Sequence, residues 1–366
     1  PATMYLEGLD QYRGWFQSSL LTAVGALGQG APFRECVTHG WTVDGEGKAM
    51  HKSLGNGVDP ADIFNENGAD ILRLWAASAD YHADVRCSKE IFKQLSQNYL
   101  KFRNTCKFML DNLVDFDPEN LVKPEEMAKL DRWLITKLNE LIEKAEQSYC
   151  DYEFHIITHA VNDFCVNTLS SFYLDIVKDR LYCDGADSLS RRSAQTALYL
   201  TLHTLSKLFA PILVFTCDEI WLAMPHTAAD DARNVVLNEM NKPFAAYALT
   251  ESEMADWEKL VDVRTAVNGV LEAARAEKKI GKSLEADVHL TVPAEDAFLA
   301  NMDGKELADL LIVSQVEVAV GEGVKASAEE AAGTKCPRCW KHSTAANAEG
   351  LCPRCAGVMA KFPDLA

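Results

Sequence analysis

Apolar residues change their rhythm twice along the chain, and each change marks a different kind of structure. Met4-Tyr5-Leu6 reads as a short buried strand ended by Gly8, with a helix from Gln11 to Leu27 behind it, a strand–turn–helix opening of α/β type. Cys36–His39 and Trp41–Val43 offer a second strand. Asp59 before Pro60 predicts a helix start, with Asp as N-cap and proline at the first helical position. Asp70 predicts another cap, with Ile71, Leu74 and Trp75 on one face.

From about Lys89 to Ala276 the spacing is helical. Leu130, Trp133, Leu134, Leu138, Leu141 and Ile142 make one stripe, opposed by Asp131, Arg132, Lys137, Glu140 and Lys144. Val166, Leu169, Phe172, Tyr173, Ile176 and Val177 make a second, and Leu198, Leu202, Leu205 and Phe209 a third, which Pro211 ends or kinks. Trp257, Leu260, Val261, Val267, Val270 and Leu271 make a fourth. Long helices with short connections predict a bundle whose stripes are core. Alternation then returns at Val288, Leu290, Val292 and at Val316, Val318, Val320, around a helix-like stretch, which predicts a small β-α-β unit. Gly321 to Thr334 reads as a linker to a separate tail.

The expected fold is therefore multidomain and mainly α. Residues 1–57 read as an α/β unit with a loop, 58–128 as a helical region, and 129–276 as a helical bundle. Residues 277–330 are a small α/β unit and linker, and 331–366 a metal-binding tail. Hydrophobic content of 48% and charged content of 25% are ordinary for a globular protein. No apolar run approaches about 18 residues and no basic-then-apolar leader opens the chain, so neither a membrane span nor a secretory signal is supported. A start at Pro1, without Met and straight into apolar residues, reads as a cut inside a larger protein.

Two features carry chemistry. Cys336-Pro-Arg-Cys339 and Cys352-Pro-Arg-Cys355 hold twelve residues between the pairs. Two residues between thiolates let one turn present both sulfurs to a tetrahedral ion at ~2.3 Å, and two such turns complete a structural zinc site with no open position. So short a segment would draw its folding energy from the metal. The other seven cysteines, scattered singly, read as reduced small apolar side chains, which with the quartet points to the cytoplasm. Lys335, Arg338, Lys341, Arg354 and Lys361 make the tail locally basic, although the chain carries a net charge of −18. Trp340 has two readings, stacking on a base or sugar and packing over the metal turn.

The second feature is the loop Asp44 to Asn56, with glycines at 45, 47 and 55 and lysines at 48 and 52. It is no Walker loop, yet a mobile ammonium suits closure over a triphosphate. Ala49-Met50-His51-Lys52-Ser53, followed by Leu-Gly-Asn, resembles the Lys-Met-Ser-Lys-Ser signature of class I aminoacyl-tRNA synthetases, with Ala49 in place of the first lysine and His51 in place of a serine. Whether Lys48 substitutes for the missing lysine stays open. Tyr5-Leu-Glu-Gly-Leu-Asp-Gln-Tyr-Arg-Gly-Trp-Phe16 is similar to the matching segment of bacterial isoleucyl enzymes. So are Gly68 to Trp75, Ser171 to Arg180, Arg191 to Tyr199 and Cys336 to Trp340 in their own regions.

The resemblance implies that Lys52 stabilises the triphosphate of ATP, brought with Mg2+, and that Glu7, Asp10, Gln11 and Trp15 contact an isoleucyl-adenylate. It implies that 1–57 are the C-terminal part of a Rossmann-type catalytic domain with the signature loop, 58–128 a helical stem-contact region and 129–276 a bundle of anticodon-binding type. It implies L-isoleucine, ATP and tRNA(Ile) as partners, no membrane, and a monomer. The family's His-x-Gly-His motif is not found, since Trp41 follows His39-Gly40, and no editing domain is read here. The chain alone is therefore expected neither to form adenylate nor to edit. The alternative is a free-standing, non-catalytic helical module that binds tRNA or protein and carries a zinc ribbon. Arg180, Arg191 and Arg192 are candidates for an RNA-facing surface, each with a plain reading as a solvated helix face.

Overall fold

Asp59 starts α2 (Pro60–Asn67) as its sequence predicts, its carboxylate accepting the Ala61 amide at 2.9 Å. Asp70 does not repeat the pattern. Gly68, at φ +88°, occupies the cap of α3 (Ala69–Ser78), and Asp70 reaches away to a different helix. These features come from a computed structural model that describes residues 1–362 and, of Lys52, the backbone alone.

At the start of the chain, β1 (Ala2–Gly8) and β2 (Phe33–His39) pair in parallel, with Tyr5 opposite Cys36 and Glu7 opposite Thr38. Parallel pairing demands a crossover. It is supplied by α1 (Trp15–Leu21), which begins after a 3-10 turn at Leu9–Arg13 and ends in a π-helical turn at Thr22–Ala26. Tyr5 packs its ring against Trp15, Phe16 and Phe33, tying strand to helix. β3 (Thr42–Val43) pairs in parallel with β4 (Val85–Arg86), so the loop at 44–56 leaves from a fixed strand end.

The helical region runs through α4 (Lys89–Asp111), α5 (Lys129–Cys150), α6 (Phe154–Asp163), α7 (Leu174–Cys183), α8 (Leu189–Phe209), α9 (Val214–Ala223) and α10 (Glu251–Ala276). α6 passes into α7 through a π-helical stretch at Phe164–Tyr173. α8 stops at Phe209, just ahead of Pro211. Its one-sided stripe understates the burial: Gln195, Thr196, Thr201, Thr204 and Ser206 are buried along with the leucines, because α4, α5, α7 and α9 surround the helix. Asp131 is a second departure. It is 0% exposed instead of facing solvent, because Arg180, Tyr173 and Ser193 all donate to it (2.6–2.9 Å, 2.7 Å and 2.5 Å).

β5 (Ala286–Val292) and β6 (Gln315–Val320) are parallel, with α11 (Gly304–Leu311) between them, as the alternation predicts. The reading of 321–334 as linker is corrected by β7 (Lys325–Glu330), which pairs antiparallel on the other edge of β5. Its Ala326 and Ala328 carry too little apolar surface to announce a strand, although both pack against the core. The tail is a hairpin of β8 (Thr334–Lys335) and β9 (His342–Ser343) followed by α12 (Pro353–Lys361). One core extends from Leu74 through the bundle to Val313. No helix among the described residues is long and apolar enough to cross a membrane.

Candidate active site and metal centre

The loop after β3 is held in shape by two side chains. Asp44 folds back so that Oδ1 accepts the amides of Glu46 (3.0 Å) and Lys48 (2.8 Å). Gly47, at φ +85°, supplies the left-handed step of that turn. Asn56 closes the far end: Oδ1 accepts the His51 amide at 2.9 Å, while Nδ2 donates to Asp44 Oδ2 (2.9 Å) and Ala49 O (3.1 Å). The Asn56 hydrogen bond, then the Lys48 amide, keep the Asp44 carboxyl below its ordinary range. Met50 packs on a small core of Ile63, Ile71, Cys87 and Phe92. Neither Asp44 nor Asn56 stands out by charge or apolarity. The available signal was Asp followed by Gly, a side chain that bonds the backbone two residues on.

Lys48 bears on the question of a substitute lysine, since its ammonium already sits 2.6 Å from Glu46 Oε2 in an exposed pair. Lys52 begins a short 3-10 turn, Lys52–Leu54, and its side chain lies outside the described residues. Glu7 is exposed near the carboxyl end of β1. Asp10, Gln11 and Trp15 form one hydrogen-bonded run beyond it: Gln11 Nε2 donates to Asp10 Oδ2 (3.1 Å) and its Oε1 accepts the Trp15 amide (2.8 Å). A cavity of about 640 Å³ lies beside this strand, but Met4 and Leu6 line it, so it opens on the face that Glu7 turns away from.

The cysteine quartet does come together. Its four sulfurs lie within 4.8 Å of one another, with Cys339 and Cys352 Sγ 3.8 Å apart. Cys336 and Cys339 flank the turn inside the β8–β9 hairpin, and Cys352 and Cys355 straddle the start of α12. Burial opposes ionisation of Cys336, but the amides of Cys339, Cys352 and Arg338 bring its thiol down to about 6, which readies it as a thiolate ligand. Four sulfurs at this spacing can hold one metal ion. Trp340 follows the first pair at φ +66°, a backbone forced by the bonds from the Trp340 amide to Cys336 O and from the Cys336 amide to Lys341 O (both 2.9 Å). Its ring is 52% exposed, with the Lys282 ammonium 4.8 Å from its centre.

Residues 1–88 match the family model of class I tRNA synthetases (I, L, M and V), and residues 131–290 match that of the anticodon-binding domain of tRNA ligases. The isoleucine–tRNA ligase of Moorella thermoacetica is 45% identical over 98% of this chain. Those of Caldicellulosiruptor saccharolyticus and Kosmotoga olearia are 46% and 44% identical over 98% and 99% of it.

The chain belongs to the class I tRNA synthetases. It spans 40% of the length of these relatives. Two solved synthetases share its fold at low identity. One is the Agrobacterium radiobacter LeuRS–tRNA–LeuAMS ternary complex, with TM-score 0.51, 16% identity, and coverage of 80% of this chain and 31% of that one. The other is Mycobacterium tuberculosis methionyl-tRNA synthetase in complex with methionyl-adenylate, with TM-score 0.52, 19% identity, and coverage of 61% and 44%.

Within this synthetase segment the basic residues are used differently from the sequence expectation. Arg180 is bound to buried Asp131. Arg191 and Arg192 both hold Asp115. In the tail, Arg354 pairs with Asp179 at 2.5 Å and with Asp184 at 3.3 Å, and Arg338 donates to the Cys183 carbonyl at the end of α7. Lys341 pairs with Asp309, Lys335 with Glu285 and Lys361 with Asp187. All five tail cations thus fasten it to acidic and carbonyl groups of the neighbouring helices and sheet. The local positive charge is a docking device for the tail, and sequence could not show that because the acids lie far away in the chain.

Proposed function

We propose that this chain is part of an isoleucine–tRNA ligase, which converts ATP, L-isoleucine and tRNA(Ile) to isoleucyl-tRNA, AMP and pyrophosphate. In the first step the isoleucine carboxylate attacks the α-phosphorus and the bond to pyrophosphate breaks. In the second a terminal ribose hydroxyl of the tRNA takes the acyl group and AMP leaves. The loop 44–56 brings Lys52 to the leaving pyrophosphate, with Mg2+ accompanying ATP, and its ammonium offsets charge as the bond breaks. Glu7, with Asp10, Gln11 and Trp15, contacts the adenylate. Residues 58–128 approach the tRNA stem, 129–276 its anticodon region, and 331–366 carry one structural zinc on Cys336, Cys339, Cys352 and Cys355. The enzyme works as a cytoplasmic monomer.

The observation that supports this reading best is the loop itself. An Asp44–Asn56 staple that shapes a surface loop carrying two lysines, Lys48 and Lys52, has a use in phosphate chemistry and none in a passive binding module. Isoleucine-dependent pyrophosphate exchange, measured on the protein at the full length of its relatives, tests it. Lys52→Ala is expected to lower exchange about 10²–10³-fold, the scale of losing one group that stabilises developing charge. Absence of isoleucine-dependent exchange in the parent overturns the reading. The 366-residue chain by itself is expected to show none, and turnover by it would overturn the division of the site.

A further inference from the structure

Helix α3 belongs to two packed regions at once. Its Ile71 lies in the small core that Met50 of the loop packs against, with Leu72 and Trp75 alongside, while Leu74 and Ala77 pack into the core of the bundle. Trp75 also donates its Nε1 to Arg86 O (3.0 Å) on β4, the strand paired with the one from which the loop departs.

On the bundle side, Asp70 and Arg73, three residues apart, grip the corner between α8 and α9. Asp70 Oδ2 accepts the Thr216 amide (2.8 Å) and hydroxyl (2.6 Å), and Oδ1 accepts the Phe215 amide (3.3 Å). Arg73 donates Nε to Ile212 O (3.0 Å) and Nη2 to Pro211 O (2.6 Å). A helix–helix corner leaves carbonyls without partners on one side and amides on the other. Here the carboxylate meets the amide end and the guanidinium the carbonyl end, the favourable sense for both helix dipoles. Asp70 is only 7% exposed, and the Tyr99 hydroxyl lies 3.0 Å from Thr216 Oγ1, so the contact is locked from a second helix.

We propose that Asp70 and Arg73 are positioning residues that set the Lys52 loop relative to the tRNA-docking helices, with α3 as the rigid link, a role that rests on the ligase reading above. Binding energy from tRNA held on the bundle reaches the reacting centre only if the elements between them keep their geometry. Adenylate formation, which needs no tRNA, should feel the link little.

The test uses the protein at the full length of its relatives, with Asp70→Asn, which keeps the shape but turns an acceptor oxygen into a donor facing amides. Isoleucine-dependent pyrophosphate exchange should stay within about twofold of the parent, while kcat for transfer to tRNA falls about tenfold with the tRNA KM little changed. A merely structural role lowers the Tm and both steps in parallel, so a parallel fall, or no change in either step, overturns the inference. Thr216→Val removes the hydroxyl donor to Asp70, and the Tyr99 contact with it, while keeping the Thr216 amide, and should open a smaller split of the same sign. It carries the test if Asp70→Asn does not fold, and the absence of a split in it is equally decisive. A parent without isoleucine-dependent exchange overturns the ligase reading and this role with it, whereas an active parent with no split overturns this role alone.

Discussion

Asn56→Ala strips the loop of its staple without changing any other residue of the loop. Three hydrogen bonds are lost, to the His51 amide, Asp44 Oδ2 and Ala49 O. Each nets ~0.5–1.5 kcal/mol in a folded protein, and because Asn56 is only half-buried and its partners are accessible, the low end applies, about 1.5–2 kcal/mol in all. That energy opposes a local opening rather than global unfolding, so the open loop becomes roughly 10–30-fold more populated. Amide hydrogen exchange reads this directly, as the His51 amide should exchange faster by that factor while amides of α5 and α8 do not change. A second readout comes from Asp44. Asn56 is the main group holding its carboxyl below 3.8, so the variant's Asp44 should titrate higher, toward that ordinary value. His51 exchange within twofold of the parent, with Asp44 unmoved, would refute the view that Asn56 shapes the loop.

Asp131→Ala should destabilise the chain by about 3–5 kcal/mol in urea unfolding, because it leaves the Arg180 guanidinium buried and unpaired, and pairing with Arg180→Met should recover part of the loss; a cost below about 1 kcal/mol would show the network to be dispensable. Removing the proposed metal with a chelator should release amide protection throughout 334–361 while leaving α5 and α8 protected, since a four-thiolate site supplies more folding energy to so short a segment than its partly buried ion pairs do. Tail protection that outlasts the metal would mean that the ion pairs to Asp179 and Asp309 suffice. Asp115 titrates at about 2 in the folded chain, against 3.8 ordinarily, held down by the Arg191 hydrogen bond. Its contribution to stability is therefore fully present above pH 3.8 and is lost as pH falls toward 2. Stability measured at stepped pH should decline more steeply across that window in the parent than in Asp115→Asn, and equal slopes would contradict the assignment.

Local order was legible without coordinates wherever one short segment carries its own cause. Asp59-Pro60 starts a helix, alternation at Val288, Leu290 and Val292 makes a strand, and two Cys-x-x-Cys turns bring four sulfurs within reach of one ion. These need only neighbouring residues and the periodicity of the backbone. Lys325–Glu330 escaped because its pairing with β5 comes from the tertiary frame and its own side chains are small or charged. What an ionisable residue with a distant partner does was decided by the fold. Asp131 looked like part of a solvated stripe and is the buried anchor of Arg180, while Asp70 looked like the cap of its own helix and caps another 146 residues further on. The tail's cations showed only as a locally basic stretch and turned out to be its fastenings. A charge has no direction in a sequence, and its partner is fixed only when distant segments meet at a few ångströms.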